Sequence, residues 1–337
     1  MTGTGGMTGD RSAGAGRPLP IALLIPGQGA QHPRMAASLY GTVPSFTRTM
    51  DEAFELMGPR GPHVRAQWLA ERPPPEFDDV TVAQPLLYAV GYALGRTLVD
   101  RCGRPDALLG HSAGEMVAGA LADVFDFADG MRLMMERLPE LAATEPGGML
   151  AVAASVRDVE PLLGEDVHLA AVNAPRQLLL AGAEAPLRRA MSRLRADGRT
   201  VRRVPARQAF HSPLVEAASA QAGDRWTGVT LRPPAVRLYS AYDAAPLTAE
   251  RACDPSFWIG QPARTVRFAG ALDRLLDDGD HLLVETGPGQ SLTMLARRHP
   301  RVAAGRSQVI AMSPDRRGDG AERDAVRSAT ERVLTRR

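Results

Sequence analysis

Asp106-Ala107-Leu108-Leu109-Gly110-His111-Ser112-Ala113-Gly114-Glu115 decides the fold. Asp106–Leu109 is a short apolar run of strand character, and a helical pattern of apolar residues follows from Glu115 to Leu121. Between them Gly110 and Gly114 bracket a serine, the G-x-S-x-G pattern of a sharp strand-to-helix turn. Such a turn strains the backbone at its centre, and the flanking glycines let the chains pass without Cβ clashes. It exposes the Ser112 hydroxyl and aims the Ala113 N–H at a developing oxyanion. The helix N-terminus adds partial positive charge where negative charge forms. Ser112 is therefore the candidate nucleophile.

A serine of this kind needs a base. The chain has seven histidines: His32, His63, His111, His168, His211, His281 and His299. His211 stands out because Ala209-Phe210-His211-Ser212-Pro213 falls where the chain leaves one predicted subdomain for another, and clefts form at such junctions. From the residues alone the other six stay open as alternatives.

Upstream of the turn, Leu19–Ile25 is an apolar strand ending in Pro26-Gly27. Met35–Leu56 has the pattern of a helix, 60–79 is a proline- and charge-rich surface loop with at most one short helix, and Gln84–Asp100 is helical. Downstream the order is strand Met149–Ala154, helix Val156–Leu163, strands Val167–Val172 and Leu178–Ala181, helix Ala185–Ala196 and strand Thr200–Val204. That β-α-β-β-α-β order is the ferredoxin-like arrangement. Strand Val236–Ser240, helix Phe268–Leu276 and strand His281–Glu285 then return to the α/β body. The expected division is a flexible arm at 1–18, a large subdomain from 19–146 and 206–317, an inserted small subdomain at 147–205, and a C-terminal helix or tail at 318–337.

The 337 residues carry 40 basic and 38 acidic side chains, a net +2 that speaks against a dedicated nucleic-acid binder. Every basic side chain is arginine. Cys102 and Cys253 form neither a disulfide framework nor a metal spacing, so no metal is expected. No leader of signal-peptide type and no membrane span is read, and a cytoplasmic location is expected.

Pro26-Gly27-Gln28-Gly29-Ala30-Gln31, Gly110-His111-Ser112-Ala113-Gly114-Glu115 and Ala209-Phe210-His211-Ser212, in this order and spacing, resemble the malonyl-CoA:acyl carrier protein transacylase family, which includes the acyltransferase domains of polyketide synthases. The resemblance runs from Ile21 to Arg298. It implies an α/β-hydrolase-like large subdomain with the ferredoxin-like insert. It also implies a Ser112–His211 dyad, with the backbone carbonyl of Gln261 orienting the imidazole and the N–H groups of Gln28 and Ala113 as oxyanion hole. Arg137, twenty-five positions after Ser112, matches the arginine that grips a malonyl-type carboxylate. Gln84, Asn173 and Phe210 match substrate-binding positions, Phe210 in the form that leaves little room for an α-methyl branch. Thr286-Gly287-Pro288-Gly289 matches a structural turn.

Several residues depart from the pattern: Gln208 where histidine is usual, Leu138-Pro139 after Arg137, the small Ala113 in the elbow, and His32-Pro33 after Gln31. The implied activity is transfer of a malonyl-type acyl group from acyl-CoA to the phosphopantetheine thiol of an acyl carrier protein, in polyketide or fatty-acid biosynthesis, with no other cofactor. A larger or unusual acyl group moved between carriers, or an editing hydrolase, is the alternative. A discrete enzyme serving a separate carrier is expected, with a domain excised from a larger synthase as the alternative, and with Arg188, Arg189, Arg207, Arg297 and Arg298 meeting an acidic carrier.

Overall fold

The computed structural model describes residues 18–314 and 320–335; the arm expected at the N-terminus falls outside them but for Pro18. Ten strands form two sheets. They are β1 (Ile21–Ile25), β2 (Ala107–Gly110), β3 (Gly147–Val152), β4 (Val167–Ala174), β5 (Gln177–Ala183), β6 (Val201–Val204), β7 (Arg237–Ser240), β8 (Ala245–Pro246), β9 (Leu282–Glu285) and β10 (Gln308–Ala311).

The larger sheet runs β10-β9-β1-β2-β7-β8 and is parallel except for the β7–β8 pair. Every residue of β1 and β2 is buried, as expected of central parallel strands covered by helices on both faces. Ligands in such sheets bind outside the carboxyl ends of the strands. Gln28, Ser112 and Tyr242 all follow such ends, those of β1, β2 and β7.

The smaller sheet runs β4-β5-β3-β6, fully antiparallel, the ferredoxin-like order expected. Its two faces divide by the period of two. Leu150, Val152, Leu178 and Leu180 pack under helix Glu184–Ala196 through Leu187, Ala190 and Leu194. The alternate residues, Met149 and Ala181, pack against Leu138, Leu141 and Phe210 of the larger body. Backbone bonds stitch the two sheets' surroundings together: Val172 N donates to Val266 O at 2.8 Å, and Val266 N to Ala170 O at 2.9 Å. Sheet-and-helix architecture with an α/β body and this second sheet is as the sequence predicts.

The run 35–56 is not one helix. Ala37–Leu39 is a single 3₁₀ turn and the helix is Pro44–Leu56. Ala36 and Gly41 both take positive φ, 56° and 77°, and Pro44 starts the new helix where its missing N–H costs nothing. The proline-rich loop contains a nine-residue helix, Gly61–Leu69, that buries Trp68 completely. Among the described residues no helix is long and apolar enough to cross a membrane.

The glycines of the elbow are forced by close approach. A Cβ on Gly114 would lie 2.3 Å from the Ile25 carbonyl oxygen, and one on Gly110 would lie 2.3 Å from Glu115 Cα. These neighbours are backbone atoms and cannot swing aside. Gly114→Ala is expected to destabilise the fold by roughly 3 kcal/mol or more, read as a lowered urea midpoint with an unchanged slope.

Candidate active site

Ser112 has φ 54°, the strained conformation that the elbow imposes. The helix that follows, Gly114–Leu121, begins two residues later. Ser112 Oγ and His211 Nε2 are 2.7 Å apart, although 99 residues separate them in sequence. His211 sits on the segment returning from β6 and also has positive φ, 63°. Its backbone N–H donates to Pro262 O at 2.6 Å, which pins the residue in that conformation.

The imidazole is oriented by a carbonyl, but chiefly not the expected one. Nδ1 donates to the carbonyl oxygen of Arg264 at 3.0 Å. The Gln261 backbone, expected in that role, has the smaller electrostatic effect on the ring. The 3₁₀ turn Gln261–Ala263 tightens the chain so that the carbonyl just past its end meets the ring.

Arg137 comes from helix Phe127–Ala142 and Gln84 from the first turns of helix Val80–Cys102. Arg137 Nη2 donates to Gln84 Oε1 at 2.9 Å, and Gln84 Nε2 donates to Gln28 Oε1 at 3.1 Å. This chain of amides runs from the guanidinium to the loop after β1. The backbone there touches the elbow, since a Cβ on Gly27 would lie 2.4 Å from His111 O and 3.2 Å from Ala113 N.

Ser112, His211, Gln28, Ala113, Arg137, Gln84, Phe210 and Gln261 all line one cavity of about 50 Å³. Asn173 does not. Its Oδ1 is 2.7 Å from Nε2 of His111, which does line the cavity. Tyr242, Met149, Leu179 and Val204 complete the wall, and none was singled out from the sequence. The last three are inward-facing positions of the small sheet, and Tyr242 lies just past β7. A groove of about 850 Å³ adjoins the cavity through Val204 and Ala206, with Arg207 on its wall. Arg188 and Arg189 lie on helix Glu184–Ala196, and Arg297 and Arg298 at the end of helix Ser291–Arg297.

Among the described residues no carboxylate lines the cavity and none pairs with Arg137. Burial pulls the guanidinium down to about 10, still charged at neutral pH. Three donors on the wall lack a partner among the described residues: Arg137 Nε, Gln28 Nε2 and Gln261 Nε2. Burial, then the neighbouring His111 and Arg137, pull His211 down to about 4. The imidazole is thus the free base across the neutral range. A depressed histidine titrates only as pH falls through its folded value, so acylation of Ser112 is expected to stay level from about pH 8 to about pH 5 and to decline below that. Single-turnover rates against pH check this. An unfolded histidine takes its proton near 6.5, so the same shift subtracts stability as pH drops from there toward 4.

Glu115 is displaced as well. It is fully buried behind the elbow, and burial raises its carboxyl to about 8. Its Oε2 accepts from Ala241 N at 2.9 Å, tying the elbow helix to the loop after β7.

The acyl transferase domain family matches residues 23–334. The chain is 36% identical over 298 residues to a phenolphthiocerol/phthiocerol polyketide synthase of Mycobacterium tuberculosis, covering 88% of this chain and 20% of that protein. It thus spans about one fifth of the length of that curated relative. Among solved structures, the acyl transferase domain of SpnD in complex with 2-(pent-4-yn-1-yl)malonyl superposes with TM-score 0.87 at 31% identity, over 95% of this chain and 77% of that one. FabD from Acinetobacter baumannii shares the fold, with TM-score 0.82 at 23% identity over 94% and 99% of the two chains.

Proposed function

The chain belongs to the acyl transferase domain family, and on that premise we propose that it moves a malonyl-type acyl group from CoA to the phosphopantetheine thiol of an acyl carrier protein through an ester on Ser112. One observation carries the choice of acyl group. A charged guanidinium faces the cavity with no counter-charge, beside donors that have no acceptor. A buried charge without a partner is costly, and a ligand carboxylate supplies what is missing. Arginine meets a carboxylate with two parallel N–H bonds, which lysine does not offer.

In the first half-reaction His211 Nε2 takes the Ser112 proton and Oγ attacks the thioester carbon. The tetrahedral oxyanion rests against the N–H groups of Gln28 and Ala113, at the start of the elbow helix. The C–S bond breaks, and CoA leaves as the thiol with the proton held by His211. In the second half-reaction the carrier's thiol gives its proton to His211 and attacks the ester carbon, and Ser112 recovers the proton as its C–O bond breaks. The uncharged imidazole and its Arg264 carbonyl suit both proton transfers. The groove that adjoins the cavity supports access of a long thioester arm from that side.

Intact-protein mass spectrometry after brief exposure to a panel of acyl-CoAs tests the reading. A malonyl adduct that a carrier thiol discharges faster than water supports it. An adduct lost to water as fast as to the carrier assigns a hydrolase. No adduct from any CoA ester removes the CoA donor from the proposal.

A further inference from the structure

Tyr242 belongs to none of the motifs of the nucleophile, the base or the arginine, yet it forms part of the cavity wall and is 2% exposed. Its ring centroid is 6.1 Å from the His211 imidazole, and that of Phe210 is 6.3 Å from the same ring. Two aromatic walls therefore bound the base. Tyr242 lines the same cavity as Ser112, so the ring borders the space that an acyl group on Ser112 would occupy.

The residue is clamped from several sides. Ala241 N is held by the buried Glu115, and Tyr242 N donates to Ser240 Oγ at 3.0 Å. Asp243 pairs with Arg264 and Arg251. The Arg264 guanidinium lies 5.7 Å from the Tyr242 ring centroid, while its carbonyl orients His211. Phe257 meets the ring edge-on at 6.5 Å. The ring thus lacks the freedom to turn aside for a larger ligand.

We propose that Tyr242 is a specificity-determining residue of the acyl pocket, its clamped ring setting the room beside the reacting carbon and excluding acyl groups extended or branched next to the thioester. The inference rests on the reading that Ser112 carries a malonyl-type acyl group. Pocket volume discriminates modestly, about 10- to 200-fold per methylene, and a ring is a large wall on that scale.

The test is the initial rate of adduct formation at Ser112 from malonyl-CoA, methylmalonyl-CoA and ethylmalonyl-CoA. Tyr242→Val is expected to raise the ethylmalonyl-to-malonyl ratio roughly tenfold or more, and Tyr242→Phe to leave it within about threefold. Tyr242→Leu, expected to give a smaller shift in the same direction, stands in if the valine variant does not fold by circular dichroism. An unchanged ratio in a folded variant that still takes malonyl overturns the inference alone. So does a phenylalanine variant that shifts as far as valine, because the hydroxyl and not the ring would then set selectivity. A wild type that accepts ethylmalonyl as readily as malonyl also overturns it. A wild type with no adduct from any ester overturns the acyl-enzyme reading itself, and this inference with it.

Discussion

Ser112→Ala is expected to take up no acyl group from any thioester, and His211→Ala to acylate roughly 10²- to 10⁴-fold more slowly than the wild type. The first effect is absolute because the adduct needs the oxygen. Alanine meets the same positive φ as serine, so the elbow should keep its shape. The second effect is finite, since the oxyanion donors and the bound arginine remain. A double variant should be no worse than Ser112→Ala, as befits residues that act as one unit. Intact mass and single-turnover rates check both. An adduct retained by Ser112→Ala would place the nucleophile elsewhere.

Arg137→Ala is expected to lower malonyl loading by about 2–5 kcal/mol in kcat/KM, the usual range for removing one partner of a buried, hydrogen-bonded charge pair. The same variant should load acetyl-CoA better than the wild type does, because an apolar acyl group no longer strands a desolvated charge. Arg137→Lys should recover little. A lysine there loses the two-pronged geometry, and burial favours its neutral form. The comparison of malonyl with acetyl is the decisive readout. Equal losses on both would make Arg137 a structural residue. No loss on malonyl would sink the carboxylate assignment.

The legible parts of the chain are those whose information is local. The elbow is one continuous stretch with a strand before it and a helix after it, and Gly110 and Gly114 announce their own close contacts. The small sheet was readable in its order because each strand and helix carries its own period. His211 needed more, since its partner lies 99 residues away. Its place at the exit from the predicted small subdomain drew attention to it, and the motif order then singled it out from the other histidines. Arg264 could not be foreseen at all. What orients His211 is a backbone oxygen, which every residue has, and its placement depends on a 3₁₀ turn. Tyr242 likewise carries no local signal, because its importance comes from what β7 is packed beside. Asn173 shows another limit of local reading: its place in the sequence suggested a ligand contact, and the partner its side chain has is His111, 62 residues away. The break at Gly41 and Pro44 was written in breaker residues, and an apolar pattern running across them concealed it.

The stitch between Val266 and the strand Val167–Ala174 has a mechanical consequence. Val266 follows the carbonyl of Arg264 by two residues, so the rod that aligns the base is bolted to the smaller sheet by two backbone hydrogen bonds. A substitution that loosens this seam is therefore expected to disturb the alignment of His211 without touching the reacting atoms. Residues far from the reacting atoms, along this seam, thus bear on how the base is held.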